Sequence, residues 1–94
     1  MDEERILRPH KLLRAEMPEE MQDSAFIHIN DALDKYKIEK DIATHMKKKF
    51  DEEHQPTWHC VVGKTFGCSI TFETKFLLFF EIEQQHVLLF KSME

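Results

Sequence analysis

Residues 76–82 read FLLFFEI, the most apolar run in a chain of 94 residues. A β-strand turns alternate side chains to opposite faces, so a strand that is almost continuously apolar calls for cover on both sides. As a membrane span the run is far too short, since a helix needs about 20 apolar residues to cross a bilayer. What covers its two faces is the question that the rest of the chain must answer.

The neighbouring segments read as further strands. KTFGCSITFETK, 64–75, alternates Phe66, Cys68, Ile70 and Phe72 with Gly67, Ser69, Thr71 and Glu73, giving one apolar and one polar face. WHCVV (58–62) precedes it and HVLLFK (86–91) follows FLLFFEI. Together, 58–62, 66–72, 76–82 and 86–91 predict four strands joined by short turns. Upstream the period is helical. Pro18, Glu19 and Glu20 suit a first helical turn, where a missing N–H costs nothing and carboxylates oppose the dipole. Met21, Ala25, Ile29, Ala32, Leu33 and Tyr36 then recur on one face, and Ile38, Ile42, Met46 and Phe50 step by four in a second segment that Pro56 ends. A break falls near Lys37.

Helices followed by strands predict an α+β fold, two helices packed on an antiparallel sheet. The helices cover one face of FLLFFEI. A second copy of the sheet is the economical cover for the other, and the alternative is a monomer with its N-terminal arm folded over the strand. Residues 1–17 are mixed in charge, with Ile6, Leu7, Leu12 and Leu13 as anchors and Pro9 against a helix. They are expected to form a variable arm, strand or frayed, ahead of a single domain over 18–94.

Composition excludes several functions. A net charge of -5 argues against a phosphate-backbone partner, and the KKK run at 47–49 is followed at once by Asp51, Glu52 and Glu53. No apolar leader opens the chain, so cytosolic, reduced thiols are expected for Cys60 and Cys68. The two cysteines would face each other only if 58–62 and 66–72 formed a tight hairpin. Six histidines show no CxxC, HxH or HExxH spacing, and His59 and Cys60, adjacent on a strand, point to opposite faces; no metal or cofactor is expected. Neither a glycine-rich phosphate loop nor a GxSxG turn is present, and no signature surrounds either cysteine, so the chain reads as non-catalytic.

YKIEKDIATHMKKKFDEEHQPTWHCVVGKTFG, followed by ETK at 73–75 and LLFKS at 88–92, resembles the small dimeric cytoplasmic dynein light chains over about Glu19 to Ser92. The resemblance implies a homodimer in which the strand at 66–72 crosses to pair with the partner's WHCVV. Its other edge would accept a short extended peptide as an added antiparallel strand. Carried over residue by residue, Thr65, Phe66, Gly67, Cys68, Ser69, Ile70, Thr71 and Phe72 would floor the peptide groove. Glu39 and Lys40, at the start of the second helix, would cap a ligand glutamine, and Phe79, Glu81, His86 and Leu88 would line the wall. Trp58, His59, Cys60, Val61, Val62, Phe66 and Ile70 would form the dimer interface, where the family's histidine, here His59, makes assembly sensitive to acid. The implied partner is the dynein intermediate chain or another protein with a short linear motif, and the implied setting is the microtubule motor of the cytoplasm, with no nucleic acid or membrane partner.

The groove departs from the family's pattern. The family usually has tyrosine at Ser69 and Glu81, histidine at Phe72 and Phe76, and often tyrosine at Phe79, glycine at Glu83 and alanine at His86. A changed ligand preference, a changed turn at 83–85, or a dimeric scaffold that has lost the usual motif are the consequences to expect.

Overall fold

The computed structural model describes residues 7–65 and 72–92, with only the backbone described for 72–75. A strand β1 (His10–Glu16) precedes two helices, α1 (Glu19–Lys35) and α2 (Glu39–His54). Three strands follow: β2 (Trp58–Gly63), β3 (Phe72–Ile82) and β4 (Gln85–Ser92). All pairings are antiparallel in the order β1-β3-β4-β2. The α+β architecture with two helices on an antiparallel sheet is as the sequence predicts, and of the two forms expected for the N-terminal arm its described part takes the strand.

Both helices form where the apolar period places them. Pro18 sits at the N-cap of α1, one position before the first turn, and its carbonyl accepts the N–H groups of Met21 and Gln22 at 3.0 and 3.1 Å. Ala25, Phe26, Ile29 and Ala32 are buried, and in α2 so are Ile42, Met46 and Phe50. Ile38 departs from expectation. It is the extended N-cap of α2 and is 63% exposed, so the stripe begins at Ile42. Tyr36, the C-cap of α1, is likewise exposed.

The helices cover the face of the sheet made by Phe76, Leu78, Phe80 and Ile82 of β3 with Val87 and Leu89 of β4. Phe26 meets Phe80 edge-on at 5.1 Å, and Trp58 meets Phe50 at 4.8 Å and Phe76 at 5.9 Å. Edge-to-face contacts of this kind add to the burial of the rings themselves. Strand β3 is central, as FLLFFEI demands. The N-terminal segment, however, lies along its edge as β1 instead of over its face. No turn interrupts Glu73–Lys75 either, where short strands at 66–72 and 76–82 were expected to part: β3 runs unbroken from Phe72. Of the 66–72 strand only Phe72 is among the described residues.

Two polar nodes tie the layers together. Arg8 donates through Nε to Glu83 at 2.7 Å and through Nη2 to Asp34 at 2.8 Å, while its N–H and Nη1 both reach Oδ1 of Asn30. Asn30 is buried, and its own amide donates to the Phe26 carbonyl. Arg8 thus clamps the chain before β1 to α1 and to the β3–β4 turn. That turn places Glu83 and Gln84 at φ 50° and 64°. Two consecutive left-handed residues match the twist of a two-residue hairpin, a conformation that suits glycine and asparagine better than these side chains. The hairpin therefore survives without the family's glycine.

The second node is Asp51. Its Oδ1 accepts the Trp58 N–H at 2.8 Å and its Oδ2 accepts Nζ of Lys47 at 2.6 Å, which fixes the start of β2 against the end of α2. Desolvation raises its carboxyl, but the bonds from Lys47 and the Trp58 amide outweigh this and hold it below the ordinary value. A carboxyl depressed in the folded state stabilises the fold above its unfolded value and loses that contribution as pH falls through the folded one. Replacing Asp51 by Ala should cost about 1–3 kcal/mol at neutral pH, since it leaves the Trp58 amide without a partner. Urea unfolding should show that loss at neutral pH and a smaller one in strong acid. An equal loss at both would refute the role of the charge.

Candidate functional site

The face of the sheet turned away from the helices is built in rows of directly opposed residues. The first row is Lys11, Glu81, His86 and Gly63 across β1, β3, β4 and β2. The second is Arg14, Phe79, Leu88 and Val61, and the third is Glu16, Leu77, Phe90 and His59. Directly opposed residues of an antiparallel pair share a face, so an apolar centre is framed by the charges of β1. Leu77 and Leu88 are almost fully buried, Phe79 and Phe90 are half-buried, and Val61 is 41% exposed.

The four predicted wall residues come together here. Phe79 opposes Leu88 and Glu81 opposes His86. The His86 ring stacks on Phe79 at 5.8 Å, and its Nδ1 donates to the Lys64 carbonyl at 2.7 Å. That bond ties the turn after β2 to the wall and leaves Thr65 exposed beside it. Glu81 has no ion pair among the described residues. Of the predicted groove floor, Phe66, Gly67, Cys68, Ser69, Ile70 and Thr71 lie outside the described residues, and Phe72 is described by its backbone alone, opposite Ser92.

Glu39 and Lys40 stand in the helix layer, exposed in the first turn of α2. No side chain caps that helix start, and the Ile38 carbonyl is met by the N–H groups of Asp41 and Ile42. The N–H groups of Glu39 and Lys40 have no partner among the described residues, as the first amides of a helix lack one unless something outside it bonds them.

Strand β2 is an edge strand. Its inner edge bonds β4, with Cys60 opposite Leu89, and its outer edge has no strand partner among the described residues. The residues expected at an interface divide here between the two faces. Trp58, Cys60 and Val62 turn toward the helices, with Trp58 wholly buried, whereas His59 and Val61 face away, His59 with its ring 5.3 Å from Phe90. Trp58, Cys60 and Val62 could serve an interface through the backbone edge of β2 and not through their side chains.

Ser24, His28 and Glu53 were not singled out by the sequence, and they form a cluster whose composition is that of a hydrolytic triad. The connectivity is wrong for one: Ser24 Oγ donates to Oε1 of Glu53 at 3.0 Å, and Nε2 of His28 donates to Oε2 at 3.0 Å. No histidine addresses the serine among the described residues, and Glu53 accepts from both side chains, so the cluster is a bracket between α1 and α2. The His28 bond is the main reason that the Glu53 carboxyl lies below its ordinary value.

Cys60 is free, and burial pushes its thiol up to about 12. A nucleophilic cysteine needs the opposite shift. In a Cys68→Ser background the folded chain should resist iodoacetamide at mildly alkaline pH and react only once unfolded. Reaction at the rate of a free thiol would overturn this reading of Cys60.

Among the described residues no three His, Cys, Asp or Glu gather as a metal site, and no helix is long and apolar enough to cross a membrane. The fold has counterparts among solved structures. It is similar to the dynein light chain-like domain of the Fasciola hepatica calcium binding protein FhCaBP2, at 20% identity over 92% of this chain and 93% of that one, with a TM-score of 0.77. It is also similar to the DLC-like domain of CsTAL3, at 16% identity over 95% of this chain and 100% of that one, with a TM-score of 0.75. At such identities the likeness is one of fold. The family model described as dynein light chain type 1 matches residues 10–92, from the first residue of β1 to the last of β4. With the strand order, the helix layer and nearly the whole sequence in agreement, the chain belongs to the dynein light chain family.

Proposed function

We propose that this dynein light chain is a non-catalytic homodimeric hub that holds short extended peptides of partner proteins by strand addition. The observation that carries the reading is the apolar sheet face of Phe79, Leu88, Leu77, Phe90 and Val61, turned away from the helices and bordered by β2, whose outer edge has no strand partner among the described residues. A domain of this size buries only about 60% of its unfolded surface, so covering that face by a second copy would add to its stability. The strand at 66–72 would cross to the partner's β2, and its far edge would take the peptide. The wall residues and the open amides of Glu39 and Lys40 lie in different layers of one chain, and two copies would bring such halves into one groove. Two grooves on one rigid dimer raise the effective concentration at the second site, so weak peptides can still be held in pairs. The dynein intermediate chain is the partner that family membership suggests, in the cytoplasm and on the microtubule motor.

A second reading is favoured by Glu81 and His86. A carboxylate without an ion pair among the described residues and a ring stacked on Phe79 occupy the wall, which would suit a dimeric scaffold that has turned away from the family's usual motif.

Val61→Arg should leave the monomer folded, because the side chain is already exposed, yet split the dimer in light scattering at low concentration. A Val61→Arg chain that stays dimeric would defeat the proposed pairing at β2. Calorimetric titration of a dynein intermediate-chain peptide into the wild-type chain should release heat at micromolar concentrations. Silence at high micromolar concentration, with the dimer intact, would favour the second reading.

A further inference from the structure

The lysine run at 47–49 does not behave as one solvated face. Lys47 is bound to Asp51 at 2.6 Å, whereas Lys48 and Lys49 line an open cleft of about 310 Å³ together with Lys35 from the end of α1. Tyr36, Thr44 and His45 complete most of the lining, with Asp41 and Glu52 also present. Asp41 and Glu52 are eleven residues apart on α2, roughly 16 Å along the axis. Asp41 precedes His45 by one helical turn and Glu52 follows Lys48 and Lys49 by one, so the two carboxylates border the basic stripe at either end. None of Lys35, Lys48 and Lys49 has an ion pair among the described residues, in a chain whose net charge is -5. Convergence of unpaired cations from two different helices is what separates a binding site from an ordinary basic face.

From this convergence we propose that the cleft between the end of α1 and α2 binds a phosphoryl group, as free phosphate or on a phosphorylated side chain. Compact ammonium groups on flexible stems suit a phosphoryl oxygen as point charges. Desolvation is the main cause that keeps the His45 ring below the ordinary value, and Lys35, His28 and Lys49 add to it against a smaller opposing effect of Asp31. Its ring lies 5.8 Å from Tyr36 and 6.4 Å from His28, and its Nε2 is buried with no hydrogen-bond partner among the described residues. A bound dianion would offset the lysines and ease protonation of His45. The site involves only the helix layer and stands whether or not the sheet face binds peptides.

The test is an NMR titration of the His45 ring in the full chain with inorganic phosphate, with O-phosphoserine, and with sodium chloride at matched ionic strength. Phosphate should move the His45 midpoint upward in a saturable manner, and chloride should not. Equal or tighter binding of O-phosphoserine would assign the site to phosphorylated side chains; binding of inorganic phosphate alone would assign it to the free anion. Lys35→Gln, and the pair Lys48→Gln and Lys49→Gln, should each weaken binding about tenfold, in keeping with loss of a charge-assisted bond. Lys47→Gln should leave it unchanged. A chloride response equal to that of phosphate, or an equal loss with Lys47→Gln, would reduce the effect to general attraction and overturn the proposal.

Discussion

The structure depends on one constraint: β3 is apolar on both faces and lies in the middle of its sheet. Its even-numbered residues from Phe76 to Ile82 meet the helix layer, and this contact organises the core around Phe26, Phe50, Trp58 and Phe80. Its odd-numbered residues turn away from the helices and meet no second layer among the described residues. Leu77 is closed over, but Phe79 remains half-buried beside an exposed Val61. A fold that satisfies one face of its central strand and leaves the other apolar has a built-in reason to associate.

The polar nodes sit where the layers would otherwise slide. Asp51 joins the last turns of α2 to the first residue of β2, and Arg8 joins α1 to the β3–β4 turn. The Arg8 node spans elements far apart in sequence and the Asp51 node joins two consecutive ones, and each satisfies groups that would be costly to leave without partners in a core. Glu53 has the same office between the helices, and that is why Ser24 and His28 beside it are structural in their connectivity. The Arg8 clamp also accounts for a hairpin turn built on Glu83, where a side chain in the left-handed region gains an ionic partner.

Helices were readable because their signal is local. Ala25, Ile29 and Ala32, then Ile42, Met46 and Phe50, return at the helical period and are all buried. The exposed strand β1 was not readable in the same way. HKLLRAE has no apolar alternation, and it becomes a strand because the edge of β3 offers backbone partners. Ile38 continues the four-residue step and is nevertheless exposed, since the chain has already turned into an extended cap. The wall of the candidate site was named through family resemblance, and the register then set Phe79 opposite Leu88 and Glu81 opposite His86. The lysine cleft was hidden because Lys35 and Lys48 are neighbours only across two helices.

By itself, the amino-acid sequence determined the class of the fold, the two helical stripes and the demand of FLLFFEI for cover on two sides. Those properties follow from side-chain period and composition, which need no knowledge of what packs where. Only the tertiary structure decided that the N-terminal segment closes an edge of the sheet, that Trp58 belongs to the core while its neighbour His59 faces outward, and that Lys35 of α1 meets Lys48 and Lys49 of α2 at one cleft. Such outcomes turn on strand order and on contacts between residues distant in the chain, and a local pattern carries neither.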